Sequence, residues 1–298
     1  MTSDATLAAR WPDHLVERIS QRSFVLVVGA GISAGCRNSS GSHPPGWGDL
    51  LKSLIPRFAG GTAARSACRS MLEAREYLDL AERLLLSAQS NAKERDFYAA
   101  ISDDSDGQAG GYFLPSSVHD QLTNLEPSII VTTNYDKLLE RATLNGYGVH
   151  SYASATLGSE VRGGRDVIVK LHGSVDEPQN IILSRSDYAR VRRDGRHVLD
   201  VVQALFTVYP ALFVGYSFSD PDIQLLLENV VRSSTSTTAS HYLLTSNDVP
   251  AYLKRLYGSC YSTSVISYTQ GDYAEMERML ALLTQRVMAA RSSGFTSP

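Results

Sequence analysis

Residues 24–33 read FVLVVGAGIS and set the expected fold class of the whole chain. Phe24 to Val28 is a short, continuous apolar run rich in β-branched residues, which is typical of a strand buried on both faces of a parallel sheet. Gly29 to Ser33 would then follow the carboxyl end of that strand, where open α/β sheets bind their ligands. Gly31 has no Cβ, so a pyrophosphate can approach the backbone there, and free N–H groups beyond it can hold phosphate oxygens.

The glycine spacing alone leaves two interpretations open. Gly29, Gly31 and Ala34 fit the G-x-G-x-x-G/A pattern, but a tight strand-to-helix turn without a ligand fits it as well. A dehydrogenase would need a second strand that ends in an acidic residue about 20 positions further on. Asp49 lies near that distance, but it follows Trp47 at the start of a predicted helix. The sequence therefore disfavours a hydride-transfer enzyme.

Composition narrows the class of protein. The chain has 298 residues, of which 43% are hydrophobic and 20% charged, and its net charge of −3 gives no reason to expect non-specific nucleic-acid binding. No basic and apolar leader begins it, and no apolar stretch approaches the length of a membrane span. Cys36, Cys68 and Cys260 are odd in number and far apart, which predicts reduced thiols, a cytoplasmic location and no four-cysteine zinc site.

Predicted strands alternate with predicted helices along nearly the whole chain. The strands are expected at 24–28, 129–133, 167–171, 181–183, 211–214, 242–244 and 265–267. The helices are expected at 4–20, 47–58, 115–125, 136–145, 186–208 with a break near 194–195, 220–232 and 272–290. This order predicts an α/β fold with a Rossmann-like, doubly wound parallel sheet.

One segment departs from that alternation. Residues 62–100 carry leucines and other apolar residues at helical spacing, and 103–111 reads as a loop of Asp, Ser and Gly. We therefore predict a helical insert at about 62–111 within a single domain that spans 1–298. A Ser/Thr-rich loop is expected at 233–240.

Polar residues follow three further predicted strands. They are TTNYD at 132–136, LHGS at 171–174 and GYSFSD at 215–220. Because the carboxyl ends of parallel strands share one crevice, these side chains should converge on whatever the glycine turn holds. Each also has a structural alternative. Asn134 can adopt a left-handed turn, Asp136 and Asp220 can begin helices, and His172 can be a buried histidine bonded to backbone.

Taken in order, GAGIS, TTNYD, KLHGS and GYSFSDPD resemble the SIR2-like, sirtuin-type NAD-binding fold. The pattern is closer to bacterial SIR2-like effectors of antiphage defence than to protein deacetylases, and it covers about residues 24–270. The four-cysteine zinc ribbon of deacetylases is absent, and so is the G-I-P-x-F-R run that follows the glycine turn in sirtuins. Residues 36–47 stand in place of that run, which disfavours an acyl-peptide groove. The loop at 34–47 is expected to be a mobile gate over the cofactor.

The resemblance implies roles for individual residues. His172 would be a general base or orient a ribose, Asn134 would contact the nicotinamide ribose or position water, and Asp136 would hold the nicotinamide carboxamide. Ala30, Gly31 and Ser33 would line the phosphates, with Gly215 and Ser217 on the adenosine side. The full cofactor-binding set is Gly29, Ala30, Gly31, Ile32, Ser33, Thr133, Gly215, Ser217 and Asp220.

The function implied is hydrolysis of NAD⁺ to nicotinamide and ADP-ribose, without a metal, to deplete NAD during abortive antiphage defence. Such an activity is toxic, and the chain devotes nearly all its length to the catalytic fold. We therefore expect a separate activator subunit, or assembly into a homo- or hetero-oligomer, to trigger it. The alternatives are an NAD-dependent protein deacylase or ADP-ribosyltransferase, and a catalytically silent NAD- or nucleotide-binding subunit. The arginine-rich run 187–197 is either a solvated helix face or a contact for an acidic partner.

Overall fold

The computed structural model describes residues 2–107, 111–233 and 241–294. Its strands are β1 (Val25–Val28), β2 (Ile129–Thr132), β3 (Gly148–Ser151), β4 (Val167–Lys170), β5 (Ala211–Val214), β6 (His241–Ser246) and β7 (Thr263–Tyr268). They form a seven-stranded sheet in the order β3-β4-β2-β1-β5-β6-β7, and every pair is parallel. The predicted doubly wound parallel sheet is thus confirmed.

Helices lie on both faces of this sheet. In chain order they are α1 (Asp4–Ala8), α2 (Asp13–Ser20), α3 (Trp47–Phe58), α4 (Thr62–Glu73), α5 (Tyr77–Ser90), α6 (Glu94–Asp106), α7 (Ser117–Thr123), α8 (Leu138–Ala142), α9 (Leu157–Arg162), α10 (Arg185–Asp194), α11 (Arg196–Val208), α12 (Pro221–Ser233), α13 (Ala251–Tyr261) and α14 (Tyr273–Gly294). None of the helices in the described ranges combines the length and apolarity that a membrane span requires.

The central strand β1 explains the unbroken apolar run of the sequence. Leu26 and Val28 face a core shared with α1, α2, α7 and α14. Val25 and Val27 face the opposite core, shared with α9, α11, α12 and α13. Because both faces of β1 are covered, neither set of alternating positions can be polar.

The helices α3 to α6 have a core of their own, built on leucines such as Leu51, Leu54 and Leu84. Ile181 and Leu183 pack into this same core, and no strand forms at 181–183, so that prediction was wrong. The run resembles a strand because it is apolar and extended, but its backbone contributes only one bond to the β4 turn, from Ile182 N–H to His172 O at 3.0 Å.

Other predictions need smaller corrections. The first helix is split by Pro12 into α1 and α2, and β3 is an edge strand whose polar sequence GVHS gave no apolar signal. The loop predicted from 103 is helical through Asp106, while 108–110 and 234–240 lie outside the described residues. The bounds of an insert within a single domain stay a prediction.

Candidate active site

A cavity of about 620 Å³ opens at the carboxyl edge of the sheet, between the glycine turn and helix α3. The predicted site residues that line it are Gly29, Ala30, Gly31, Ser33, Thr133, Asn134, Asp136, His172, Gly215, Ser217 and Asp220. Ile32 does not line it. The Ile32 side chain is 2% exposed and packs in the apolar core beneath the turn, and its N–H donates to Gly29 O at 3.3 Å.

The glycine turn is a 3₁₀-helix, Ala30–Gly35, packed against the turn that follows β5. A Cβ on Gly31 would lie 2.8 Å from Gly215 O, and one on Gly29 would lie 2.4 Å from the same oxygen. The Gly31 N–H donates to Gly215 O at 2.9 Å. The glycines are therefore required by close packing of two backbone turns, and the Gly31 N–H is not free for a phosphate.

Ser33 supplies a free polar group in this turn. The residue is 3% exposed, it lines the cavity, and its hydroxyl has no hydrogen-bond partner among the described residues. A buried hydroxyl without a partner is costly in free energy. A ligand oxygen in the cavity would satisfy it.

Asn134 is fixed by the end of β2. The Thr132 hydroxyl donates to Val28 O at 2.9 Å and accepts the Asn134 N–H at 3.0 Å, so the turn is tied to β1. The Asn134 side chain is buried, lines the cavity and makes no hydrogen bond to another described residue. Its amide is thus held by the backbone but remains available to a ligand.

Asp136 combines a structural bond with an unusual charge state. Its Oδ1 accepts the Leu138 N–H at 3.0 Å, which is the helix-start role that the sequence left open. Burial, reinforced by Glu140 and Asp106, raises the pKa of Asp136 to about 6, although Lys170 and the Leu138 N–H act in the opposite direction. The carboxyl therefore changes charge close to neutral pH.

His172 belongs to a buried cluster with Asp220 and Tyr188. His172 Nε2 lies 2.9 Å from Asp220 Oδ2, and the Tyr188 hydroxyl donates to the same oxygen at 2.6 Å. Burial alone would raise the pKa of Asp220, but the charge and hydrogen bond of His172, with the Tyr188 and Ile223 bonds, lower it to about 2. Asp220 is therefore an anion that accepts the Nε2–H, and a neutral His172 ring then carries its lone pair on Nδ1.

Several residues that line the cavity are not predicted by the sequence. The sequence does not assign Tyr188 to the site, and only the fold brings α10 against His172. Trp47 and Tyr77 form an aromatic wall with ring centroids 5.4 Å apart, and Trp47 Nε1 is buried without a partner among the described residues. No motif or spacing in the sequence predicts that α3, which carries Trp47, and α5, which carries Tyr77, contact the carboxyl edge of the sheet.

Within the described residues, no group of three or more His, Cys, Asp and Glu side chains is arranged to hold a metal ion. Cys36 and Cys68 are buried free thiols, and Cys260 is an exposed one. Cys36 packs beside the glycine turn, where its Sγ lies 3.7 Å from His119 Nδ1.

Comparison with known proteins places the fold in a family. A family model described as SIR2-like domain matches residues 128–278. NAD(+) hydrolase ThsA of Acinetobacter baumannii (strain 532279) is 23% identical over 237 residues, which are 78% of this chain and 44% of that protein. ThsA of Bacillus cereus (strain MSX-D12) is 28% identical over 42% of this chain and 27% of its own length. Defense-associated sirtuin 2 of Bacillus subtilis is 25% identical over 39% of this chain and 12% of its own.

The chain thus spans less than half the length of the curated relatives that it matches. The family model itself covers about half of the chain and includes the turns after β2, β4 and β5. The chain belongs to the SIR2-like domain family.

Proposed function

We propose that this chain hydrolyses NAD⁺ at the bond between nicotinamide and ribose. The observation that carries the proposal is the cluster of His172, Asp220 and Tyr188, which shares one cavity with the unbonded amide of Asn134. The cavity volume of about 620 Å³ is in the range of sites for cofactor-sized ligands. The names of the ThsA relatives support the same reaction.

The reaction breaks the C1′–N bond of the nicotinamide ribose and forms a C1′–O bond to water. Nicotinamide leaves as a neutral molecule with the bonding electron pair, and the attacking water loses one proton. The ribose carbon has oxocarbenium character in the transition state, so positioning and fixed dipoles lower the barrier more than a strong nucleophile would.

In this proposal His172 accepts the proton, from water or from a ribose hydroxyl, at Nδ1. Asp220 holds the ring in the required tautomer, because its anionic oxygen accepts the Nε2–H. Asn134 positions the water or the ribose, and Asp136 bonds the nicotinamide carboxamide. Histidine is the side chain that most often acts as a general base in enzymes.

The remaining lining residues hold the rest of the dinucleotide. The free hydroxyl of Ser33 bonds a phosphate oxygen, and Ala30 and Gly31 line the cavity beside that phosphate. Gly215 and Ser217 lie on the adenosine side. Gly29, Thr133 and Asp220 complete the wall, and Ile32 supports the turn from the core.

We further propose that the activity depletes NAD in antiphage defence and is restrained until a partner subunit or an assembly step releases it. The name of the Bacillus subtilis relative, Defense-associated sirtuin 2, supports the defence role. Restraint is required because unregulated NAD⁺ hydrolysis would harm the host cell. Size-exclusion chromatography and activity assays, with and without the products of neighbouring genes, test this, and a fully active monomer would contradict it.

The reaction itself is tested by incubating the purified chain with NAD⁺ and separating the products. We expect nicotinamide and ADP-ribose in equal amounts, with rates at least about 100-fold lower for Asn134→Ala and His172→Gln. Asn91→Ala, at the exposed residue that follows α5, and His197→Gln, at an exposed position of α11, are the controls and should keep the wild-type rate. Turnover that needs an acylated peptide or an acceptor protein would instead support a deacylase or transferase. Binding without turnover would support a silent regulatory subunit.

A further inference from the structure

Lys170, the last residue of β4, is 1% exposed, although lysine is rarely buried to this degree. Its ammonium group has four acceptors within hydrogen-bond distance. They are Asp136 O at 2.5 Å, Glu140 Oε1 at 2.8 Å, Tyr135 O at 3.1 Å and Ser174 Oγ at 3.3 Å. The ammonium is therefore fully satisfied, and two of its acceptors are backbone oxygens of residues that line the cavity.

These bonds join two separate turns. Tyr135 and Asp136 belong to the turn after β2, which carries Asn134, whereas Ser174 belongs to the turn after β4, which carries His172. Two further contacts connect these segments: Val175 N–H donates to Tyr135 O at 3.1 Å, and Lys137 Nζ lies 2.7 Å from Asp176 Oδ2 in an exposed ion pair just beyond the two turns. Lys170 is the buried cation that bonds both turns, and it thus joins the groups proposed to hold nicotinamide to the group proposed to take the proton.

We propose that Lys170 is a positioning residue that holds the Asn134–Asp136 turn and the His172–Ser174 turn in a fixed relation for NAD⁺ cleavage. The expected effect on NAD⁺ cleavage rests on the proposed function, whereas the hydrogen bonds of Lys170 to the two turns do not. A buried ion pair contributes little net stability compared with an apolar pair of the same shape. Glu140 even has a second oxygen, Oε2, without a partner among the described residues. Stability alone therefore does not account for the pair.

Lys170 also influences the charge of Asp136. The ionisable groups that act on this carboxyl come from several elements: Lys170 of β4, Glu140 and Arg141 of α8, Asp106 of α6, and Cys36 beside the glycine turn. Arg141 is bound in a bidentate pair to Asp106, with distances of 2.8 and 2.6 Å. Among the effects on Asp136, the charge of Lys170 lowers its pKa and Glu140 raises it.

Three variants test the proposal through NAD⁺ turnover. Lys170→Met/Glu140→Gln removes both charges without leaving either one buried alone, and Glu140→Gln alone keeps an acceptor for the ammonium. We expect the double variant to lose at least about tenfold in kcat/KM for NAD⁺ per folded molecule, because small misplacements of reacting groups are costly. Glu140→Gln should keep at least about half of the wild-type value. Arg22→Met is the matched control, since Arg22 bonds Asp166 and the Glu126 carbonyl oxygen at the opposite edge of the sheet.

A second measurement does not need NAD⁺ turnover. The titration of Asp136 can be followed as the pH-dependent difference in unfolding free energy between each background and the same background with Asp136→Asn. In Lys170→Met this titration should move to higher pH by about one unit, since a cation close to the carboxyl is lost. In Glu140→Gln it should move to lower pH.

The kinetic assay and the Asp136 titration together distinguish a failure of the Lys170 proposal from a failure of the proposed NAD⁺ hydrolysis. Wild-type kcat/KM in the double variant, or an unmoved Asp136 titration in Lys170→Met, would overturn the role of Lys170. An equal loss of kcat/KM in Arg22→Met would also overturn it, because the effect would then be general destabilisation. If the wild type fails to cleave NAD⁺ while the Asp136 titration moves as expected, the proposed function fails and the placement of the turn by Lys170 stands.

Discussion

Gly31 lies where two backbone turns come closest, and its lack of a side chain has a structural reason before any ligand is considered. A Cβ there would lie 2.8 Å from Gly215 O and 2.9 Å from Gly215 Cα, and neither backbone atom can move cheaply. Gly215 itself has a φ of +65°, in the left-handed region that favours glycine. The sequence predicts a glycine turn after β1, but it could not show that the same glycines hold this turn against the turn after β5.

Gly31→Ala should therefore destabilise the fold whether or not NAD⁺ is the ligand. Overpacking of this kind costs about 1–3 kcal/mol. Chemical denaturation measures the free energy of unfolding. Gly258→Ala is the control, because Gly258 lies in α13 with no atom within 4 Å of its Cβ position, and alanine there should be neutral or stabilising by up to about 1 kcal/mol. Equal stability of Gly31→Ala and the wild type would show that the turn adjusts without strain.

We expect the ionised form of Asp136 to destabilise the folded chain. Its pKa is about 6 in the folded chain against an ordinary value of 3.8, so the folded state holds the proton more tightly than the unfolded state does. Stability contributed by the neutral carboxyl is therefore lost as pH rises from about 4 to 6. The loss corresponds to about 3 kcal/mol.

Asp136→Asn removes this penalty, and the amide oxygen can still accept the Leu138 N–H. We expect the unfolding free energy of the variant, relative to wild type, to rise by up to about 3 kcal/mol between pH 4 and pH 8. NAD⁺ turnover should fall at the same time. The exposed carboxyl of Asp96, changed to Asn in α6, is the matched control. If Asp136→Asn is no more stable than wild type at pH 8, the charged Asp136 carboxylate must be better solvated in the folded chain than its burial indicates.

At the scale of elements, buried strands were the most predictable features and edge or irregular segments the least. The strands β1, β2, β4 and β5 are covered on both faces, so their sequences are continuous apolar runs. Strand β3 pairs only with β4 and is partly exposed, so its composition carries no such signal. The extended segment at 181–183 gave the opposite error, since a strand was predicted where none forms. Burial against helices selects the same apolar residues as burial in a sheet.

Helix α10 shows why the site could not be completed from sequence. Its arginines are paired with carboxylates on its own element or on neighbouring ones: Arg185 with Asp79, Arg190 with Asp187, Arg192 with Asp222 and Arg193 with Asp194. These pairs orient the helix so that Tyr188 reaches His172 and Asp220. The arginines of α10 predict a polar helix face, but the carboxylates with which they pair lie up to 106 positions away in the chain. The sequence therefore could not show how this helix is oriented.

The start of α10 is also bonded to the helical layer through Tyr98 of α6, whose hydroxyl donates to Asp187 Oδ1 at 2.9 Å. Tyr98→Phe should destabilise the chain by about 1–2 kcal/mol, because a buried carboxylate loses a hydrogen bond. It should also lower kcat more than it changes KM, since Tyr188 is the next residue. Tyr147→Phe is the control, because the Tyr147 hydroxyl donates to Pro127 O at 2.6 Å, away from the cavity. Equal kinetic effects of both variants would indicate that α10 holds Tyr188 without help from α6.

At the scale of the whole molecule, the sheet order determines the length of ligand that the cavity can hold. The lining residues include His172, which follows β4, and Thr245, which lies near the end of β6. These strands are four positions apart in the sheet, on opposite sides of β1, which corresponds to about 19 Å. A single nucleotide would occupy one side of β1, whereas an extended dinucleotide would reach both.

Ligand-dependent stability tests this reasoning without any turnover. With the His172→Gln chain, NAD⁺ at about 100 times its Kd should add about 2.7 kcal/mol to the unfolding free energy and raise Tm by several degrees. Nicotinamide or adenosine monophosphate at the same concentration should raise Tm much less, because each contacts one side of β1 only. Thr245→Arg, at the β6 side of the cavity, should weaken the effects of NAD⁺ and of adenosine monophosphate but not that of nicotinamide. If adenosine monophosphate stabilised the chain as much as NAD⁺ does, the β4 side of the cavity would not take part in binding, and the ligand would be a mononucleotide.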